Sequence, residues 1–123
     1  MGFLLELKHQ EVAYVGKAVL TNTGDRARIM VEGPMPVLRG QDYVDPGAAK
    51  TPAERIYVAV QEMYLSGSDD AAPDFFAASR RLIAQRPHAE EPISQLSKLV
   101  LAQDMAKALK VARTLIQLEE KAA

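Results

Sequence analysis

Three arginines in the N-terminal part of this sequence carry its most usable chemistry. Arg26 and Arg28 flank Ala27 in GDRARIMV, so in an extended segment they share one side, while Ala27, Ile29 and Val31 turn to the other. That alternation directs Arg28 outward. Arg39 closes the run PVLR, at a strand edge where a planar guanidinium can bond a phosphate or stack on a base. The chemistry on offer is recognition of an anion or a nucleic acid. For any one of them the simpler reading is a solvated cation or a surface ion pair, which contributes little.

Bond-breaking chemistry finds no comparable support. The sequence has no phosphate-cradling glycine loop, no His-Glu-x-x-His and no nucleophile elbow. His9 follows Lys8 in a predicted turn, and His88 stands between Pro87 and Glu90-Glu91 at a helix start. Both read as solvated. Asp69-Asp70 and Glu90-Glu91 lie near helix starts, where carboxylates favour the positive end of the dipole, and Glu119-Glu120 reads as a solvated helix face. Neither a metal nor another cofactor is expected, and the chain reads as a non-enzyme. Tyr57 and Tyr64 lie two helical turns apart on one face, where packing aromatics are commoner than base-stacking ones.

The arginines need strands to hold them, and the pattern provides them. From Phe3 to Val44 the runs FLLEL, VAYV, KAVLT, ARIMVE and PVLR repeat with period two between turn residues. Asn22-Thr-Gly-Asp25 supplies the residues of a hairpin between two of these runs, and Gly33-Pro34 should end the fourth. Residues 46–50 form a linker without either periodicity. After it the sequence turns helical: Thr51 caps, Pro52 takes the first helical position, and Glu54 completes a capping box for TPAERIYVAVQEMYL. Ser66-Gly-Ser-Asp-Asp70 stops that helix. A second runs from Pro73 to about Arg86, a third starts near Pro92, and Asp104 caps a fourth unless it continues the third. The expected fold is therefore α+β, with a small antiparallel β module over residues 1–45 and three or four helices over 51–123.

Composition sets the outer limits. The 123 residues suit one compact unit or two halves, and 48% hydrophobic with 25% charged residues is ordinary for a globular protein. There is no cysteine, which excludes disulfides and thiolate chemistry. No apolar run approaches the ~20 residues of a membrane span. The start MGFLLELKHQE is broken by Glu6 and is not read as a secretory signal, so a cytoplasmic location is expected. The net charge is -1, with six basic against six acidic residues in 1–50 and nine against ten in the remainder. Neither half is a basic domain, and RNA binding would need a local patch.

The strings TPAERIYVAVQEMYL, LKHQE, GKAVL, GDRARIMV, VLRGQDY and KALKVARTLIQLEE, taken in order, resemble the FlbT family of flagellin regulators over nearly the whole chain. The resemblance implies post-transcriptional control: binding to the 5′ untranslated region of flagellin mRNA, with lowered translation or stability of the message. It also implies a link to a second small protein, FlaF, and no catalysis. Protein partners, flagellin or FlaF, form the alternative reading, an adaptor or chaperone-like factor that acts through the helices.

The β module also resembles the carbon storage regulator (CsrA-like) RNA-binding proteins. GFLLELKHQEVAYVG matches their opening strand, basic pair and following short strand, and ARIMVEGP with VLRGQD matches their later strand and arginine. The resemblance implies an RNA site at Leu5, Lys8 and Arg39, with Arg28 nearby, and an intertwined homodimer. Two departures thin the expected charge. The basic pair is reduced to Lys8-His9, and Gly40-Gln41 follow Arg39 where that family has charged residues.

Overall fold

The computed structural model describes residues 2–122. Its contacts divide the chain into two compact units, Met1–Tyr43 and Val44–Ala123. Among the described residues the first holds five strands and the second four α-helices, so the architecture is α+β.

The strands are β1 (Gly2–Leu7), β2 (Val12–Val15), β3 (Ala18–Thr21), β4 (Ala27–Glu32) and β5 (Val37–Arg39). They form two small antiparallel sheets, β1-β4 and β3-β2-β5. The tight hairpin lies between β2 and β3, where Val15 pairs with Ala18 and Gly16 takes φ +57°. Glycine accepts that left-handed conformation without the Cβ clash that other residues suffer. Asn22–Asp25, in contrast, makes no hairpin, because β3 and β4 belong to different sheets. The Asn22 amide donates instead to the carbonyls of Leu7 at 2.9 Å, Lys8 at 3.1 Å and Asp25, and its Oδ1 accepts from the Gly24 N–H at 3.1 Å. A side chain that bonds backbone on both sides of a crossing does the work expected of a turn.

Burial follows the pleat. Leu5 and Leu7 pair with Ile29 and Ala27 on the inner face of the β1-β4 ribbon, and both leucines are buried with Ala13 of β2. Leu20 and Val37 pack partly against this cluster. The outer face carries Leu4 opposite Met30 and Glu6 opposite Arg28.

The helical unit comprises α1 (Pro52–Ser66), α2 (Ala72–Gln85), α3 (Glu90–Leu101) and α4 (Met105–Ala122). Helix α1 packs on α2 and α4, and α3 packs on α4. The capping box closes as expected: Thr51 Oγ1 accepts from the Glu54 N–H at 3.2 Å, and Glu54 Oε1 accepts from the N–H groups of Thr51 and Lys50, each at 3.0 Å. At the other end Gly67 adopts φ +70°, and its N–H returns to the Met63 carbonyl. Helices α3 and α4 are separate, because Gln103 takes φ +60° between them. The third helix begins at Glu90, after a 3₁₀ turn over Pro87–Ala89, slightly before the expected Pro92.

Core positions repeat along each helix: Ile56, Val60 and Met63 on α1, Phe75, Ala78 and Leu82 on α2, Ile93 and Leu96 on α3, and Ala108, Ala112 and Leu115 on α4. Tyr57 joins them, held by Arg113, whose guanidinium lies 4.5 Å from the ring centroid and donates to the hydroxyl at 3.1 Å. Tyr64 is only half-buried.

Candidate nucleic-acid interface

Candidate RNA contacts must reach solvent from positions that the backbone fixes, and the two small sheets sort the four expected residues. Leu5 is fully buried at the inner face of β1, so its side chain is a core residue and cannot meet a nucleotide. This corrects the expectation from resemblance; the same alternation that exposes Leu4 and Glu6 turns Leu5 inward. Lys8, Arg28 and Arg39 are exposed.

Lys8 follows Leu7, which pairs with Ala27, so Lys8 leaves the same end of the ribbon that carries Arg26 and Arg28. The register thereby brings three cations to one end. Arg39 lies on the other sheet, opposite Ala13. Since Ala13 packs with Leu5 and Leu7, Arg39 and Lys8 issue from two sheets that share one buried cluster.

The electrostatics are balanced. Arg28 Nε lies 3.4 Å from Glu6 Oε1, with both side chains more than half exposed. Such a pair contributes about 0 to 1 kcal/mol, and the carboxylate offsets the charge that Arg28 presents. The Lys8 N–H donates to Glu11 Oε1 at 2.6 Å, which places a carboxylate beside that turn. Over residues 1–43, Lys8, Lys17, Arg26, Arg28 and Arg39 are matched by Glu6, Glu11, Asp25, Glu32 and Asp42. His9 stands in the same region, its Nδ1 donating to the Gly24 carbonyl at 2.6 Å, which fixes Nδ1 as the protonated nitrogen. The ring therefore braces the Asn22–Asp25 crossing.

Several contacts give no signal at the sequence level. Tyr14 of β2 stacks on Tyr43, with centroids 3.8 Å apart and planes at 13°. Tyr14 lies opposite Leu38 in the ladder, on the sheet face away from Ala13 and Arg39. Nothing in the spacing of the two tyrosines marks them as partners. Gly40 is required by close approach, since a Cβ there would lie 2.7 Å from the Val12 carbonyl oxygen. In the helical unit, buried Gln61 makes two bonds of 2.8 Å to Val44, its Oε1 accepting from the N–H and its Nε2 donating to the carbonyl. Glu119, read from sequence as part of a solvated face, accepts from the Ala53 N–H at 3.2 Å and so caps α1 from α4.

The helical unit also holds a cleft of about 330 Å³ between α1 and α2, with Arg55 and Arg81 beside Glu62 and Asp74. Its charges cancel in the same way. Among the described residues no group of three histidines or carboxylates is placed to hold a metal, and no helix is long and apolar enough to cross a membrane.

Residues 3–123 match the family described as Flagellar protein FlbT. A relative in Bradyrhizobium diazoefficiens, named probable flagellum biosynthesis repressor protein FlbT 1, is 38% identical over 123 residues, covering 98% of this chain and 84% of its own. One in Rhodopseudomonas palustris, named probable flagellum biosynthesis repressor protein FlbT, is 36% identical over 121 residues, with 98% and 96% covered. In Caulobacter vibrioides a flagellum biosynthesis repressor protein FlbT is 30% identical over 124 residues, with 98% and 88% covered. No solved structure matches the chain, so these comparisons add nothing to the likeness with the carbon storage regulators.

Proposed function

The chain belongs to the FlbT family, and from that premise we propose that it regulates flagellin synthesis after transcription. Its β unit binds the 5′ untranslated region of flagellin mRNA and lowers translation or hastens decay of the message. Lys8, Arg28 and Arg39 supply the contacts, and Leu5 holds the strand beneath them. The protein works in the cytoplasm, without catalysis or cofactor.

The observation that carries this reading is the exposure of all three cations, Arg28 and Arg39 on strands and Lys8 just past the end of β1, around sheets joined by one buried cluster. The relatives' names, probable flagellum biosynthesis repressor proteins, set the biological frame. Binding of a flagellin leader RNA, titrated at several salt concentrations, tests it. Lys8→Ala with Arg39→Ala should weaken binding and reduce the salt slope by about 1.4, at about 0.7 per lost phosphate contact on a single strand. Unchanged affinity and slope would sink the assignment.

A second reading has its own support in the balanced charge of the β unit and the Glu6–Arg28 pair. On that reading the protein is an adaptor that holds flagellin or FlaF through its helical unit, and its effect on mRNA is indirect. Pull-down with purified flagellin or FlaF after nuclease treatment separates the two. Retention would favour the adaptor, and complete loss would count against it.

A further inference from the structure

Strand β4 has one partner, β1, and among the described residues no strand pairs with its other edge. Free edges are usually guarded by charged side chains, lysine above all, by proline or by a bulge. ARIMVE has no lysine, proline or bulge, its six residues pairing with β1 one to one, and its two charges, Arg28 and Glu32, are of opposite sign. The ribbon also shows apolar side chains to solvent beside its charged ones: Met30 is 55% exposed, Phe3 45%, Leu4 40% and Ile29 37%.

The order of residues along that edge says what covers it. Arg28-Ile29-Met30-Val31-Glu32 is self-complementary when run antiparallel to itself about Met30. We infer that two copies of the chain join through the free edges of β4, about a two-fold axis at Met30, into a four-stranded sheet ordered β1-β4-β4-β1. Met30 then faces Met30 of the second copy, Ile29 faces Val31, and Arg28 faces Glu32, with the last two pairs occurring twice by symmetry. Within its own chain Glu32 lies opposite Gly2, which has no side chain to meet it. The second copy's Arg28 supplies that charge, and Arg28 stands between Glu6 of its own chain and Glu32 of the other.

Other registers lose the match. An axis at Ile29 sets Arg28 against Met30, and one at Val31 carries the ladder into Pro34, which cannot donate. The free edge of β1, turned about Leu4, sets Glu6 against Gly2. This dimer exchanges no strands, so it differs from the intertwined form that the resemblance to carbon storage regulators implies. It also stands apart from RNA binding, since it is measured without RNA.

Sedimentation equilibrium of the full chain should show a dimer. Glu32→Arg and Arg28→Glu each place two like-charged pairs across the axis and should each weaken association by about tenfold or more. Mixed in equal amounts, the two variants should recover it as a heterodimer, because one edge is then acidic and the other basic. In a chain without cysteine, Met30→Cys should form an intermolecular disulfide under mild oxidation. Leu4→Cys should not, since its two copies lie about 14 Å apart, three strand spacings, against a limit near 7 Å. A chain that stays monomeric at every concentration overturns the inference. So does a dimer equally strong in both charge variants, absence of recovery on mixing, or capture of a different protein by the ribbon with no self-association.

Discussion

The strand unit and the helical unit solve the same problem of burial to very different extents. Of nine large hydrophobic side chains exposed among the described residues, six lie in the strand unit, namely Phe3, Leu4, Val19, Ile29, Met30 and Met35. The longer helical unit exposes only Phe76, Leu101 and Leu118. The strand unit buries Leu5, Leu7 and Ala13 in one cluster with two partly buried neighbours, and Leu38 of β5 besides. The helical unit is stabilised by its own burial, whereas the strand unit keeps apolar surface that another molecule can cover. Recognition is therefore expected from the strands, and the balanced charge there makes shape and apolar contact as important as attraction.

Substitutions can break this comparison or sharpen it. The largest effect is expected from Phe75→Ala, which empties a fully buried site in the helical unit and should cost about 3 to 5 kcal/mol in chemical denaturation. Leu5→Ala should cost about 2 to 4 kcal/mol, with hydrogen exchange faster across residues 2–43 and unchanged across α1 to α4. Equal acceleration in both units would end the contrast. Gln61→Leu leaves the Val44 N–H and carbonyl without partners and should cost about 1 to 3 kcal/mol, more than a surface change of the same size.

The smallest effect concerns pH. Backbone N–H groups of Thr51, and then of Lys50, hold the Glu54 carboxyl below the usual carboxylate range. A carboxylate whose folded pKa is depressed adds stability above its unfolded pKa and loses it as pH falls through the folded one. Stability should therefore decline below about pH 4.3, and Glu54→Gln should flatten part of that decline in acid titrations of thermal stability.

What the residues revealed in advance was local. The capping box at Thr51 and Glu54 is complete within four residues, and the strand runs show their own period, so both were legible. Pairing was not. Residues Asn22–Asp25 look like a hairpin because turn chemistry is local, but β4 pairs with β1 between positions 20 to 30 apart, a choice made by burying Leu5 and Leu7 together. The same limit hid Gln61 on Val44, Glu119 on Ala53 and Arg113 on Tyr57, since each pairing depends on how distant segments pack. For the candidate interface, exposure of Arg28 followed from alternation alone. Its neutralising partner Glu6 required the register.

The cap that Glu119 places on Ala53 spans 66 positions of sequence and so has a consequence in time. At the usual pace of about 5 to 20 residues per second, a ribosome needs roughly 3 to 13 s to travel that distance. Arg113, which clamps Tyr57, arrives only slightly earlier. During those seconds the nascent helix α1 has its local capping box but neither of these partners from α4, so its apolar face waits on the ribosome for the helix that completes it.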